Sequence, residues 1–177
     1  MKKLLLHVCC GPCAIYVAKK LSESYQVTLF FYNPNIWPEA EYWKRFNEVE
    51  KWSLKEGFEL IEGRFNQENW FEAVKGLEAE PEAGARCPVC FNFRLAEAAR
   101  YAADNGFEVL ASTLTIGRNK KAEVINPIGK LLAEKYHLEF IEADWKKKGG
   151  QEEACRLAKE EDLYRQNYCG CKFSIRK

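Results

Sequence analysis

The sequence lacks a long apolar segment. No stretch approaches the roughly 18 to 20 apolar residues that a membrane-spanning helix requires. The N-terminal apolar run, Leu4–Val8, contains His7 and falls short of the roughly seven residues in the core of an export signal. We therefore expect no membrane association, a cytoplasmic location and a reducing environment.

A net charge is also nearly absent. The 177 residues carry 27 Lys and Arg against 26 Asp and Glu, so the overall charge of +1 indicates no polyanionic partner. The charge is uneven, because residues 112–177 hold 14 basic and 10 acidic side chains whereas residues 1–111 hold 13 and 16. The basic side chains of the C-terminal part predict a phosphate-contacting surface, with ordinary solvated lysines as the alternative. They are Arg118, Lys120, Lys121, Lys146–Lys148, Arg165, Lys172, Arg176 and Lys177.

Cysteine, in contrast, exceeds what folding requires. A chain of this length can bury roughly 70% of its unfolded surface in one domain, residues 1–177, without covalent staples. With 47% apolar and 30% charged residues it is not a disordered chain, yet it has 8 cysteines. In a reducing compartment, clustered cysteines more often bind metal or take part in catalysis than form disulfides.

Strand and helix patterns alternate along the chain. Short apolar runs predict strands, and segments with apolar residues at helical spacing predict helices. The alternation predicts an α/β fold, a mainly parallel sheet with helices on both faces, in which a helix and cysteine-bearing tail at 150–177 close the site. The predicted strands are 2–8, 26–32, 58–61, 107–114 and 138–141, and the predicted helices are 14–24, 38–56, 68–77, 88–105, 121–136 and 152–163.

Three loops of this fold should meet. Cys9, Cys10 and Cys13 follow the first strand, 33–35 follows the second, and 113–121 follows the fourth. Because ligands of parallel sheets bind beyond the carboxyl ends of the strands, we expect these loops to form one site.

Seven of the cysteines form three groups, which leave three interpretations open. Cys10-Gly-Pro-Cys13 has the spacing of a thioredoxin-like dithiol, but only eight residues precede Cys9, too few for the strand and helix that come before that motif. Two close pairs of thiolates suffice for a tetrahedral zinc site. An iron–sulfur cluster also takes four thiolates and tolerates irregular spacing. The groups are Cys9/Cys10/Cys13, Cys87/Cys90 and Cys169/Cys171, while the lone Cys155 is expected in the core.

The ordered motifs are more specific than any one cysteine pair. They resemble those of the cobalamin-independent epoxyqueuosine reductase family over nearly the whole chain. The motifs are His7-x-Cys9-Cys10-x-Pro12-Cys13, Tyr32-Asn33-Pro34-Asn35-Ile36, Pro38-Glu39-x-Glu41-Tyr42, Arg86-Cys87-x-x-Cys90-Phe91-x-x-Arg94-Leu95, Ser112-Thr113-Leu114 and Tyr164-Arg165-Gln166-x-Tyr168-Cys169-Gly170-Cys171-x-x-Ser174.

The resemblance implies a fold, a cofactor and a reaction. The fold would be similar to the adenine nucleotide alpha-hydrolase-like (HUP) group, and a 4Fe–4S cluster with a second iron nearby would reduce epoxyqueuosine to queuosine in the tRNA anticodon loop. The implied cluster ligands are Cys9, Cys10, Cys87 and Cys90. The remaining three clustered thiols would hold the second metal or carry electrons. The 115–121 loop departs from the family's pattern, so no role is carried over to it.

This reaction also predicts roles for other residues. Removing an epoxide oxygen needs two electrons and protons, and a cofactor must supply the electrons. We expect an unidentified electron donor, tRNA as partner, a monomer, and His7 in a structural hydrogen bond. The predicted catalytic residues are Cys13, Tyr32, Asn33, Cys169 and Cys171, with packing as the alternative for the tyrosine, and the predicted substrate-binding residues are Arg118, Lys120, Arg165 and Tyr168.

Overall fold

The computed structural model describes residues 1–175 and shows five strands and six α-helices. The predicted alternation is confirmed, and Arg176 and Lys177, named above as basic side chains, lie outside the described residues. The strands are β1 (Lys3–Val8), β2 (Gln26–Phe31), β3 (Glu59–Glu62), β4 (Val109–Ser112) and β5 (Glu139–Phe140). The helices are α1 (Gly11–Ser22), α2 (Glu39–Glu56), α3 (Gln67–Ala73), α4 (Arg86–Asp104), α5 (Ala122–Lys135) and α6 (Gly150–Glu160).

The five strands form one parallel sheet in the order β3-β2-β1-β4-β5. The central strand β1 is buried on both sides. Its Leu4, Leu6 and Val8 pack with side chains of α1, α2 and α6, whereas Leu5 packs with α4. Each fully buried leucine of this kind stabilises the fold by about 1.5–3 kcal/mol. The core is therefore apolar on both faces of the sheet and holds without a metal.

Two boundaries differ from the sequence prediction in ways that shape the site. The apolar run predicted as one strand at 107–114 is divided into β4 and a 3-10 turn, Leu114–Ile116. Helix α4 begins at Arg86 rather than at residue 88, so Cys87 lies within its first turn. No helix of residues 1–175 combines the length and the apolar character needed to cross a membrane.

Candidate metal centre and active site

The first thiol group lies where β1 passes into α1. Cys9 and Cys10 connect the end of β1 to the start of α1 at Gly11. Cys13 lies in the first turn of this helix. The three Sγ atoms lie within 4.8 Å of one another, and Cys9 and Cys10 are buried. Three sulfur ligands at one helix N-terminus form a site that a thiophilic metal can occupy.

The three thiols of this group share their protons unevenly. Hydrogen bonds from Cys10 and Cys13 hold the pKa of Cys9 well below its usual range, whereas the same contacts and burial raise the pKa of Cys13. The group therefore favours a negative charge on Cys9 and disfavours one on Cys13. Such a cluster is suited to exchange its remaining protons for a metal cation.

The second thiol group joins helix α4 to the C-terminal tail. Cys87 lies in the first turn of α4 and Cys90 one turn further along, and Cys169 and Cys171 lie on the tail. All four line one small cavity of about 30 Å³. A hydrogen bond from the Cys171 thiol lowers the pKa of Cys169 to about 5 despite burial, and Lys120 and the Ser174 hydroxyl assist. This group also contains a thiolate at neutral pH.

Backbone contacts hold the tail beside α4. Ile36 and Cys171 form an antiparallel bridge, and Trp37 N donates to Gly170 O at 2.9 Å. The buried Arg45 of α2 donates from its two terminal nitrogens to Tyr168 O at 3.1 Å and Cys169 O at 3.2 Å. These bonds fix both tail cysteines relative to the sheet.

The cavity wall contains buried N–H donors without partners. Within residues 1–175, Arg86 Nε, Arg94 Nε and Trp70 Nε1 donate to no protein atom, and all three residues line the cavity. Asn35 Oδ1 is likewise unpartnered. Unsatisfied donors beside thiolates favour an anionic group that accepts hydrogen bonds, as the sulfides of an iron–sulfur cluster do. The residues present therefore fit such a cluster.

Both thiol groups open on one cleft. Cys13 of the first group and Cys169 of the second line this cleft, which has a volume of about 350 Å³. Three of the four predicted substrate-binding residues, Arg118, Lys120 and Tyr168, line it as well. Arg165 lies in an adjacent pocket, which it shares with Cys13. Two of the three loops predicted to converge, those of Cys13 and of 113–121, thus meet at this cleft, and Asn35 of the third lines the cavity that Lys120 also lines.

Asn33 and His7 connect the strand ends below this cleft. Asn33 Nδ2 donates to Val8 O at 2.9 Å, and its Oδ1 accepts from Arg94 at 2.7 Å. His7 Nε2 donates to Tyr32 O at 3.1 Å, and Ser112 Oγ lies 3.1 Å from Nδ1. Burial lowers the pKa of His7 to about 3, so the ring is neutral. The predicted structural hydrogen bond of His7 is confirmed.

The Tyr32 side chain is packed rather than free. Its ring lies between Phe30 and Phe93 and above Gly63, where an added Cβ would come within 2.8 Å of it. Burial raises the pKa of Tyr32 to about 12. A catalytic role for Tyr32 and Asn33 stays a prediction.

Several residues around the site were not predicted to act there. Arg86, Arg94 and Asn35 belong to the family motifs, but their place in the cavity wall follows from the fold. Lys146 was predicted among phosphate-contacting lysines, yet its Nζ donates to the carbonyls of Thr115 at 3.0 Å and Gly117 at 3.4 Å. It supports the loop that follows β4.

Cys155 differs from its predicted place in the core. It is partly exposed on α6, with Arg165 Nη2 3.7 Å from its Sγ, and it shares a pocket with Cys13. The described thiol groups do not include it. We expect Cys155→Ser to keep the iron content of the wild type, measured by metal analysis after anaerobic reconstitution. Loss of iron in this variant would contradict the grouping.

Comparison with known proteins identifies the family. The family model for "Epoxyqueuosine reductase QueH" matches residues 4–177. The chain belongs to the QueH epoxyqueuosine reductase family. It is 43% identical over 176 residues to the QueH of Histophilus somni, covering 98% of this chain and 72% of that protein. The Acinetobacter baylyi QueH is also 43% identical, with 81% of its length covered. The family predicted from the motifs, and with it an oxidoreductase, is confirmed.

Solved structures confirm the fold class. The U34-tRNA thiolase NcsA of Methanococcus maripaludis, solved with its [4Fe-4S] cluster, has a TM-score of 0.64 and 15% identity. The match covers 99% of this chain, which spans only 61% of that protein. A predicted subunit of a tRNA methyltransferase from Methanocaldococcus jannaschii has a TM-score of 0.56, 14% identity and coverage of 89% and 88%. The α/β sheet of the HUP type is therefore shown.

Proposed function

We propose that the protein reduces epoxyqueuosine to queuosine in the anticodon loop of tRNA, using an iron–sulfur cluster and a second iron held by cysteines of this cleft. The observation that carries the proposal is that two groups of thiols, seven in all, each contribute a cysteine to one cleft in a member of the QueH family. NcsA, which shares the fold, is described as a tRNA enzyme with a [4Fe-4S] cluster, and this supports the same cofactor here.

The reaction sets what the cleft must provide. Two C–O bonds of the epoxide break, and two electrons and two protons convert it to an alkene and water. A bound cluster would supply electrons one at a time, which amino-acid side chains do not do. An external electron donor must then reduce the cluster again. The protein's own part is to hold the metal, admit the modified nucleoside and exclude other oxidants from the buried thiols.

The ligand assignment remains a proposal in two parts. Cys9, Cys10, Cys87 and Cys90 would hold the cluster, taking two thiols from each group. Cys13, Cys169 and Cys171 would lie beside these cluster ligands and would hold the second iron or carry electrons. The orphaned donors of Arg86, Arg94 and Trp70 support an anionic cofactor in this wall.

The tRNA would approach from the open side of the cleft. Arg118 and Tyr168 line that side, and a groove beyond Tyr168 is lined by Lys44 and Tyr164, whose ring lies 3.6 Å from Lys44 Nζ. Half-buried aromatic rings beside cations suit an RNA loop with unstacked bases. A cytoplasmic location belongs to the same proposal, because the expected substrate is a tRNA, and the monomeric state stays a prediction.

The activity can be tested on the reconstituted protein. We expect anaerobic protein to be brown with about four to five iron atoms per chain, and its broad visible absorbance to bleach with dithionite. Reduced protein should convert epoxyqueuosine in tRNA to queuosine, measured by mass spectrometry of the nucleosides. Unreacted epoxyqueuosine with a bleached, iron-loaded protein would contradict the reaction, and a colourless zinc protein would contradict the cofactor.

A further inference from the structure

Lys120 is the cationic side chain shared by the cavity and the cleft. It lies in the loop between β4 and α5, and it lines the cavity of Cys87 and Cys90 as well as the cleft that Cys13 opens on. Its neighbour Lys121, the N-cap residue of α5, is exposed. Two adjacent lysines thus occupy different environments, and only the first reaches the thiols.

The loop is built to hold Lys120 in this place. A Cβ added at Gly117 would lie 2.9 Å from Lys120 Cδ and 3.3 Å from Cγ, so the lysine side chain runs across the glycine. Lys120 N donates to Gly117 O at 3.0 Å. The Lys146 ammonium ties the loop together by donating to the carbonyls of Thr115, Gly117 and Lys120. A solvated, tRNA-facing lysine would need none of these contacts.

The charges around Lys120 come from both thiol groups. Burial and the nearby Arg94 disfavour its ammonium, but Cys9, Cys13 and Cys169 outweigh them and raise the pKa of Lys120 above its ordinary value. The interaction is mutual, since Lys120 lowers the pKa of Cys9 and Cys169. Glu82 also lines the cavity and the cleft. Lys120 therefore provides a permanent positive charge between two sets of sulfur atoms.

We propose that Lys120 compensates the charge of the metal centre and raises the reduction potential of the cluster, instead of binding a tRNA phosphate. This inference rests on the cluster proposed above. A cluster with thiolate ligands is an anion, and reduction adds a further negative charge. A fixed cation in a partly buried, low-dielectric site stabilises that reduced state more than the oxidised one. Gly117 and Lys146 then act as positioning residues for Lys120.

The potential of the cluster separates this role from phosphate binding. We expect Lys120→Met to bind iron and to show a more negative midpoint potential in a redox titration of the visible absorbance. Lys120→Arg should restore the potential towards that of the wild type, because it keeps the charge. Lys121→Met is the matched control, with the same loss of charge one residue away, and should leave the potential unchanged. The salt dependence of tRNA binding should be the same for Lys120→Met and the wild type.

The other outcomes of these experiments are also decisive. An unchanged midpoint potential in iron-loaded Lys120→Met contradicts the inference. A decrease of about one in the slope of log binding constant against log salt concentration for tRNA also contradicts it, because that decrease marks the loss of a phosphate contact. Loss of iron in Lys120→Met supports it if Lys120→Arg retains iron, and contradicts it if Lys120→Arg loses iron too. Amine labelling of the metal-free protein tests the placement directly, since Lys120 should react more slowly than Lys121. A wild type that takes up no cluster would refute the proposed function instead.

Discussion

Replacing Cys9 with alanine should give a folded, colourless and inactive protein. Cys9 is buried, and its Sγ lies 3.9 Å from that of Cys10 and within 4.8 Å of that of Cys13. It is also the thiol of its group whose pKa is lowered, by hydrogen bonds from Cys10 and Cys13, and a lowered pKa favours the thiolate that binds metal. Without it the proposed set of Cys9, Cys10, Cys87 and Cys90 keeps only three ligands, and we expect about four iron atoms per chain to be lost.

The fold should survive this change, because its core does not depend on the metal. The sheet and its helices bury apolar side chains on both faces, and Cys9 contributes little volume to them. Circular dichroism should therefore match that of the wild type while iron analysis and queuosine formation fall to background. Cys155→Ser is the control for loss of a thiol outside the two groups. A Cys9→Ala protein that keeps its iron would contradict the ligand assignment.

The same experiment on Cys13 distinguishes two ligand sets. If the cluster takes Cys9, Cys10, Cys87 and Cys90, then Cys13→Ala should keep the broad absorbance and about four iron atoms, and lose only the second iron and the activity. If proximity alone decides the ligands, Cys13→Ala should lose the cluster as completely as Cys9→Ala. The iron count of this one variant decides between the sets.

Local sequence patterns were sufficient to predict most of the fold. The unbroken apolar run of β1 and the helical spacing of Phe91, Leu95 and Ala98 in α4 each have one plausible interpretation, because burial on a sheet demands them. The boundary near Leu114 was not predictable in this way. Apolar residues continue from β4 into the 3-10 turn that follows it, and the pattern does not change where the backbone does.

The site was predictable in its composition but not in its arrangement. The spacing of Cys9, Cys10 and Cys13 already places them together, as the structure shows. The meeting of Cys87 with Cys169 depends on the path of the tail, which Arg45 fixes through backbone carbonyls 123 and 124 residues away. No periodic pattern records such a contact. The reaction, likewise, comes from family membership, whereas the residues alone indicate a thiol-rich metal or redox site.

Lys146 illustrates why charge counting could not define the tRNA surface. In sequence it is the first of three consecutive lysines, and such a run is usually solvated or bound to phosphate. In the structure its ammonium donates hydrogen bonds to carbonyls of the loop that carries Lys120. A long side chain can turn inward when unsatisfied carbonyls lie within its reach, and the sequence does not show where those carbonyls are.

Gly170→Ala should inactivate the protein by displacing the tail rather than by unfolding it. Gly170 lies between the two tail cysteines with φ of +107°, a backbone conformation that side chains disfavour. An added Cβ would also come within 2.9 Å of Ile36 Cγ1 and 3.1 Å of Arg45 Nη1. Ile36 and Arg45 make the contacts that hold the tail, so the added Cβ would disturb the contacts that fix Cys169 and Cys171.

Gly57→Ala provides the matched control for Gly170→Ala. Gly57 ends α2 with φ of +78°, and nothing lies within 4 Å of an added Cβ. Both variants should lose about 1–2 kcal/mol from backbone strain, which corresponds to a fall in Tm of roughly 2–8 °C for a chain of this size. Only Gly170→Ala should move Cys169 and Cys171, and a shift of about 1 Å at reacting groups can cost about 100-fold in rate.

Iron content and rate together identify the cause of inactivation in Gly170→Ala. With the proposed ligands the cluster does not use the tail, so this variant should keep about four iron atoms, lose the second iron and form queuosine about 100-fold more slowly. Gly57→Ala should show a similar fall in Tm with wild-type iron and rate. Equal rates for the two variants would mean that the tail cysteines have no part in the reaction. Loss of all iron in Gly170→Ala would instead place Cys169 or Cys171 among the cluster ligands, because only their position separates this variant from its control.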